Sequence, residues 1–107
     1  MNKEIRSIYI LMYDITHPKT LQKVARLLEQ HGYERINYSV WTGTRNPDKI
    51  FVLKSALKTL LENPNAKGSK MYYLPLTLKD FMRMKSYSGE EIKAMEYWTG
   101  GIPTEFF

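Results

Sequence analysis

Apolar positions follow one another almost without a break from Ile5 to Tyr13. A run that lacks alternation predicts a strand buried on both faces, central in its sheet. From Pro18 to His31 the period changes. Leu21, Val24, Ala25 and Leu28 recur at helical spacing, Pro18 suits the first helical position, and Gly32 supplies the stop. The opposite side of this helix carries Lys19, Lys23 and Arg26. RINYSVWT, Arg35 to Thr42, is extended, bent into two short strands around Tyr38–Ser39. Asn46-Pro47 then opens a second helix with a capping residue and a proline at its first position. Its apolar stripe is Ile50, Leu53, Leu57 and Leu60/Leu61, and Asn63-Pro64 ends it. Lys70 to Leu76 is a strand apolar on both faces, and Phe81 to Tyr87 predicts a further edge strand. Beyond it Ser88-Gly89-Glu90-Glu91 fits a capping box, with Tyr87 and Ile92 as its staple. That box predicts a short helix from about Gly89 to Trp98, followed by a Gly100-Gly101 break and the tail IPTEFF.

This order predicts an α+β fold, a ferredoxin-like βαββαβ sandwich with an extra C-terminal strand or short helix. Residues 1–87 form the body and residues 88–107 a C-terminal extension. Two helices cover only one face of a four-stranded sheet, yet IYILMY and MYYLPL carry bulky apolar groups on both. A second face that large and apolar should not stand in water. The expected cover is a second copy, giving a sheet-to-sheet homodimer with the extension packing on the partner.

Composition removes several classes. The 107 residues suit one domain with a real core, and 43% hydrophobic residues argue for a folded chain. There is no cysteine and there are only two histidines, His17 and His31, so disulfides and a zinc site are not expected. No apolar segment reaches the roughly 20 residues that span a bilayer, and MNKEIRS does not read as a signal peptide, so a cytoplasmic protein without membrane contact is expected. The formal net charge is +5 and unevenly spread. Residues 19–85 hold 13 Lys or Arg against 5 Asp or Glu, whereas residues 86–107 hold Lys93 against four glutamates. A basic body points to a polyanionic partner, DNA or RNA; the alternative is a merely solubilising surface. In the first case Lys19, Lys23 and Arg26 become phosphate contacts.

One residue stands out against this background. The apolar run ends on an aspartate, Asp14, where the chain leaves the core. It is either a turn residue bonding backbone N–H groups or a charged group held at a site. A two-fold axis near the sheets would bring two copies of it into one cleft. One carboxylate is a poor magnesium site; two, with waters and a substrate phosphate, make a plausible one. His17 beside it could shuttle protons, but a histidine before proline also suits a turn.

YILMYDIT, then a basic helix ending in glycine, then YERINYSVWTG, MYYLPLT and KSYSG, in that order, resemble the CRISPR-associated protein two family. The resemblance covers about residues 8–89. It implies a homodimeric protein of CRISPR spacer acquisition that binds nucleic acid and bridges the CRISPR integrase. In some members it also implies a metal-dependent endonuclease acting on RNA or double-stranded DNA with magnesium, or manganese in its place. By position, Asp14 matches the family's metal-ligating aspartate, shared between subunits, and Tyr13 the aromatic before it. Arg35 matches the arginine opening the second strand, and Ser39 and Trp41 the serine and aromatic of its S-V-aromatic motif. The resemblance thus makes Asp14, Tyr13 and Arg35 catalytic, with Arg35, Ser39 and Trp41 also on nucleic acid. Two positions differ. His17-Pro18 stands where many members have a second acidic residue, and Leu21 and Lys23 stand where some carry a pair of arginines. Lysine neutralises phosphate but lacks the bidentate fork, which predicts a weaker nuclease with the adaptor role dominant. A toxin-type endoribonuclease of the same fold, with no CRISPR partner, is the alternative.

Overall fold

The structure is a computed structural model that describes residues 8–44 and 47–87. Among the described residues four strands and three helices follow one another: β1 (Ile8–Asp14), α1 (Pro18–Gln30), β2 (Glu34–Asn37), β3 (Val40–Gly43), α2 (Pro47–Leu61), β4 (Lys70–Leu76) and α3 (Leu78–Met82), with a 3-10 turn (Pro64–Ala66) ahead of β4. The sheet order is β2-β3-β1-β4 with every neighbouring pair antiparallel. This is the ferredoxin-like arrangement expected, with β1 central. The hairpin turns at Tyr38–Ser39 and its register slips between Arg35 and Asn37.

The two faces of the sheet are filled differently. Odd-numbered residues of β1 face α1 and α2, where Leu11, Trp41, Leu28 and Leu53 are buried in one cluster. Even-numbered residues face the other way, where Ile8 and Ile10 lie against Phe81 and Met82 of α3.

α1 ends as its sequence dictates. Gly32 takes φ 79°, a left-handed conformation that side chains resist. That lets the Gly32 N–H donate to Glu29 O at 3.0 Å and the Tyr33 N–H to Leu28 O at 2.9 Å, the two bonds of a Schellman motif. The same turn drops Tyr33 onto the sheet. A Cβ at Gly43 would come within 2.6 Å of the Tyr33 ring, so the glycine after Trp41-Thr42 is the seat of that ring. Tyr73 stacks on Tyr9 at 4.9 Å alongside. Burial, with Tyr33 and Tyr9 beside it, pushes the Tyr73 phenol far above its ordinary range, so it stays neutral.

Two expectations need correction. Phe81–Tyr87 forms no strand: Phe81 and Met82 end α3, and the chain leaves the helix at Arg83. The Thr77 side chain caps this helix, accepting from the Asp80 N–H at 3.0 Å. Leu78, Phe81 and Met82, at helical spacing, turn to the sheet. Burying Phe81 completely is worth about 2–3 kcal/mol, more than an exposed edge strand would gain. Part of the second face is therefore covered by the body of the same chain, not by a tail or a second copy. Asn63-Pro64 ends α2 as expected, and Asn63 also caps the 3-10 turn that follows. The expected strand start at Ile5, the Asn46 cap and the helix from Gly89 lie outside the described residues.

Candidate nucleic-acid site at the end of the first strand

Several elements converge where β1 ends. The Tyr13 N–H donates to Ser39 O at 3.1 Å, tying the β2–β3 turn to the strand end. α1 starts four residues after Asp14, and β4 begins opposite it, with Lys70 the cross-strand partner of Asp14. Asp14 itself is exposed. By strand alternation its carboxylate leaves the sheet on the side of Ile10 and Met12, the face that α3 covers only in part.

His17 is the N-cap of α1. Its Nδ1 accepts from the Thr20 N–H at 3.3 Å and lies 2.8 Å from Thr20 Oγ1. Accepting at Nδ1 leaves the ring proton on Nε2. His17 is thus a helix cap, the turn reading, and its Nδ1 is not free to carry protons for Asp14. Among the described residues the strand end carries a single exposed carboxylate, and no three His, Asp or Glu side chains gather to hold a metal ion. A hard cation that prefers oxygen ligands fits only if a second Asp14 joins the first.

Tyr13, next to Asp14, points the opposite way and is buried. Its hydroxyl accepts from Trp41 Nε1 at 2.9 Å and donates to Tyr38 O at 3.4 Å. The Arg35 guanidinium lies 4.6 Å from the Trp41 ring centroid and 5.7 Å from that of Tyr38, a cation–π stack on the hairpin. Trp41 is 1% exposed, so it gives no ring for a base to stack on. Its expected role on nucleic acid is corrected: Trp41 positions Tyr13 and supports Arg35 from within the core. Ser39 sits half-buried in the turn, and Arg35 is exposed beside a hollow of about 540 Å³ shared with Glu29 and Glu34.

The basic residues of α1 lie elsewhere. Lys19, Lys23 and Arg26 are exposed on α1, the helix that packs on the sheet face opposite to that of the Asp14 carboxylate. Lys23 and Arg26 border a shallow groove between α1 and α2 floored by Leu27, Ala56 and Leu60. The structure thus ties the Ser39 turn to the strand end through the Tyr13 backbone and stacks Arg35 on Trp41, on the Tyr13 side of the sheet, while the Asp14 carboxylate leaves on the other face.

The family model described as CRISPR associated protein Cas2 matches residues 7–84, most of the chain. This chain belongs to the Cas2 family. It is similar to "CRISPR-associated endoribonuclease Cas2 2" of Pyrobaculum aerophilum, 39% identical over 57 residues, 53% of this chain and 63% of that one. A second such protein, "CRISPR-associated endoribonuclease Cas2 1" of Archaeoglobus fulgidus, is 35% identical over 46 residues, 43% of this chain and 49% of the other. The matches thus span less than two thirds of these curated relatives. Among solved structures, Streptococcus pyogenes Cas2 superposes with a TM-score of 0.63 at 20% identity, covering 74% of this chain and 96% of that one. The hypothetical protein TT1823 of Thermus thermophilus gives 0.58 at 22% identity, covering 67% of this chain and 83% of that one. At these identities the likeness is one of fold.

Within this Cas2 chain, sequence reasoning missed one bond and two residues that shape the site end. The Trp41–Tyr13 bond was not visible because the partners lie 28 positions apart. Tyr33 was missed although its signal was there: a glycine stop followed at once by an aromatic, with a lone glycine after Trp41-Thr42. Lys70 was read only as the start of a strand. Its pairing with Asp14 needs the register.

Proposed function

We propose that this protein is a dimeric CRISPR adaptation protein that binds nucleic acid and bridges the CRISPR integrase. On this reading it is also a magnesium-dependent endonuclease, manganese serving in magnesium's place, with a preference for RNA. The observation that carries the reading is Asp14: an exposed carboxylate at a strand end, on the partly open sheet face, in a chain of the Cas2 family. The names of the two curated relatives favour RNA, and family membership favours a CRISPR context over a toxin-type enzyme.

The open part of the second face supports dimerisation. Tyr72 is 60% exposed and Leu74 45%, side by side on β4 with Met12 and Ile10 across from them. A second copy set against this patch covers it and brings two Asp14 carboxylates to the rim of one cleft. Bound between them, a divalent cation would supply Lewis-acid stabilisation of the phosphodiester's developing charge. The chain's own residues do the rest. Asp14 provides the anionic ligands, Tyr13 and Trp41 hold the strand end in place, and Lys19, Lys23 and Arg26 draw in the polyanion. Lacking the bidentate arginine pair on α1, the protein cleaves slowly and the adaptor role dominates.

Asp14→Asn is the test, because it removes charge with little change in shape. The mutant should keep the dimer, keep nucleic-acid binding and lose cleavage that depends on magnesium and stops in EDTA. Cleavage retained by the mutant would return Asp14 to a turn residue. Complex formation with the integrase should survive; its loss with an intact dimer would make catalysis part of the adaptor role.

A further inference from the structure

We infer that Lys70 is a phosphate-binding residue of this site, recognising a phosphodiester of a nucleic-acid strand as it passes Asp14. The inference rests on the reading of Asp14 above and adds the cation that reading lacks.

Three observations carry it. Lys70 is the cross-strand partner of Asp14 in the β1–β4 ladder, so the two side chains leave the sheet on the same face from adjacent positions, with Cβ atoms about 5 Å apart. Both are exposed. The backbone that delivers Lys70 is fixed. Asn63 Oδ1 caps the 3-10 turn by accepting from the Asn65 N–H at 2.8 Å, and the Ser69 N–H donates to Ala66 O at 2.9 Å. Gly68 makes the reversal at φ 89° with open space around it. Lys70 is therefore held at its root while its ammonium reaches outward. This is the geometry of a cation that contacts a mobile ligand, since only the stem must be ordered in advance.

Charge balance favours a cation at this position. Two carboxylates with one divalent cation sum to zero, and two carboxylates alone repel phosphate. α1 packs on the opposite face of the sheet, whereas Lys70 shares the face of the Asp14 carboxylate. Two copies of Lys70 at the cleft give it a net positive balance when a cation is held, and neutrality when none is. Electrostatic attraction falls off within about 8–10 Å at ordinary salt, so a cation must be next to the carboxylates to act on the phosphate they address.

The test compares the dimeric wild type with Lys70→Met, Lys70→Arg and a control, Lys58→Met, at an exposed lysine in the last turn of α2. Each binds a labelled 20-nucleotide single-stranded RNA in EDTA over a salt series, so that no cleavage or metal enters. Lys70→Met should weaken binding and flatten the plot of log affinity against log salt by roughly 0.7 for each phosphate that the variant no longer neutralises. Lys70→Arg should restore the slope, and Lys58→Met should leave it as in wild type. Equal slopes for Lys70→Met and Lys58→Met would overturn the inference, since both lose the same charge. So would an unchanged slope in Lys70→Met. A wild type that binds RNA but never cleaves it would count against the nuclease reading alone, with the slopes still deciding Lys70.

Discussion

The two faces of the sheet use the same strands and reach opposite ends. Towards α1 and α2, Leu11, Trp41, Leu28 and Leu53 are all at 1% exposure or less, and the chain completes that core by itself. On the other face α3 is only five residues long and seals one end, over Ile8 and Ile10, while Tyr72 and Leu74 stay open beside Met12. The difference shows where the fold ends and the assembly begins. Most positions that hold the architecture lie on the closed face, joined by Ile8 and Phe81 at the sealed end of the other; Asp14 and Lys70, which carry charge, stand at its unfinished edge. Tyr13 links the two, because its neighbour Asp14 faces outward while its own hydroxyl is locked to Trp41.

The largest break in this comparison comes from Trp41→Ala. It empties a fully buried site on the closed face and should cost about 3–5 kcal/mol, much of the stability of a domain this size. Urea unfolding checks it, and a loss below about 1 kcal/mol would show that Trp41 is not part of the core. A smaller effect is expected of Tyr13→Phe, which strands the Trp41 Nε1 donor in the interior. Stability should fall by about 1–3 kcal/mol, with a change in the tryptophan near-ultraviolet signal. Any cleavage activity should fall too, since the strand end that bears Asp14 loses its anchor.

Most of the body was legible in the sequence because its signals are local. The periodicity of Leu21, Val24 and Leu28, the Gly32 stop and the unbroken β1 run each specify their element without reference to the rest. α3 was misread for a physical reason. FMRMKSY alternates well enough for a strand, and the competing evidence, a threonine cap three residues before Asp80, lies upstream of it. At the site, Asp14 was visible as a carboxylate ending an apolar run. For Trp41 the sequence allows both a stacking platform and a buried support, and only its burial and its bond to Tyr13 decide. Lys70 was hidden more deeply, as strand register depends on partners far apart along the chain.

The central claim is that the unfinished face is completed by a second copy, so that two Asp14 carboxylates share one cleft. The solution mass tests it most directly. By light scattering at micromolar concentration, the wild type should run at twice the 12.6 kDa chain mass. Leu74→Asp, which puts a charge into the open patch, should run at the single-chain mass with its helical signal intact. A wild-type protein at the single-chain mass, or a Leu74→Asp variant that remains a dimer, would contradict the account.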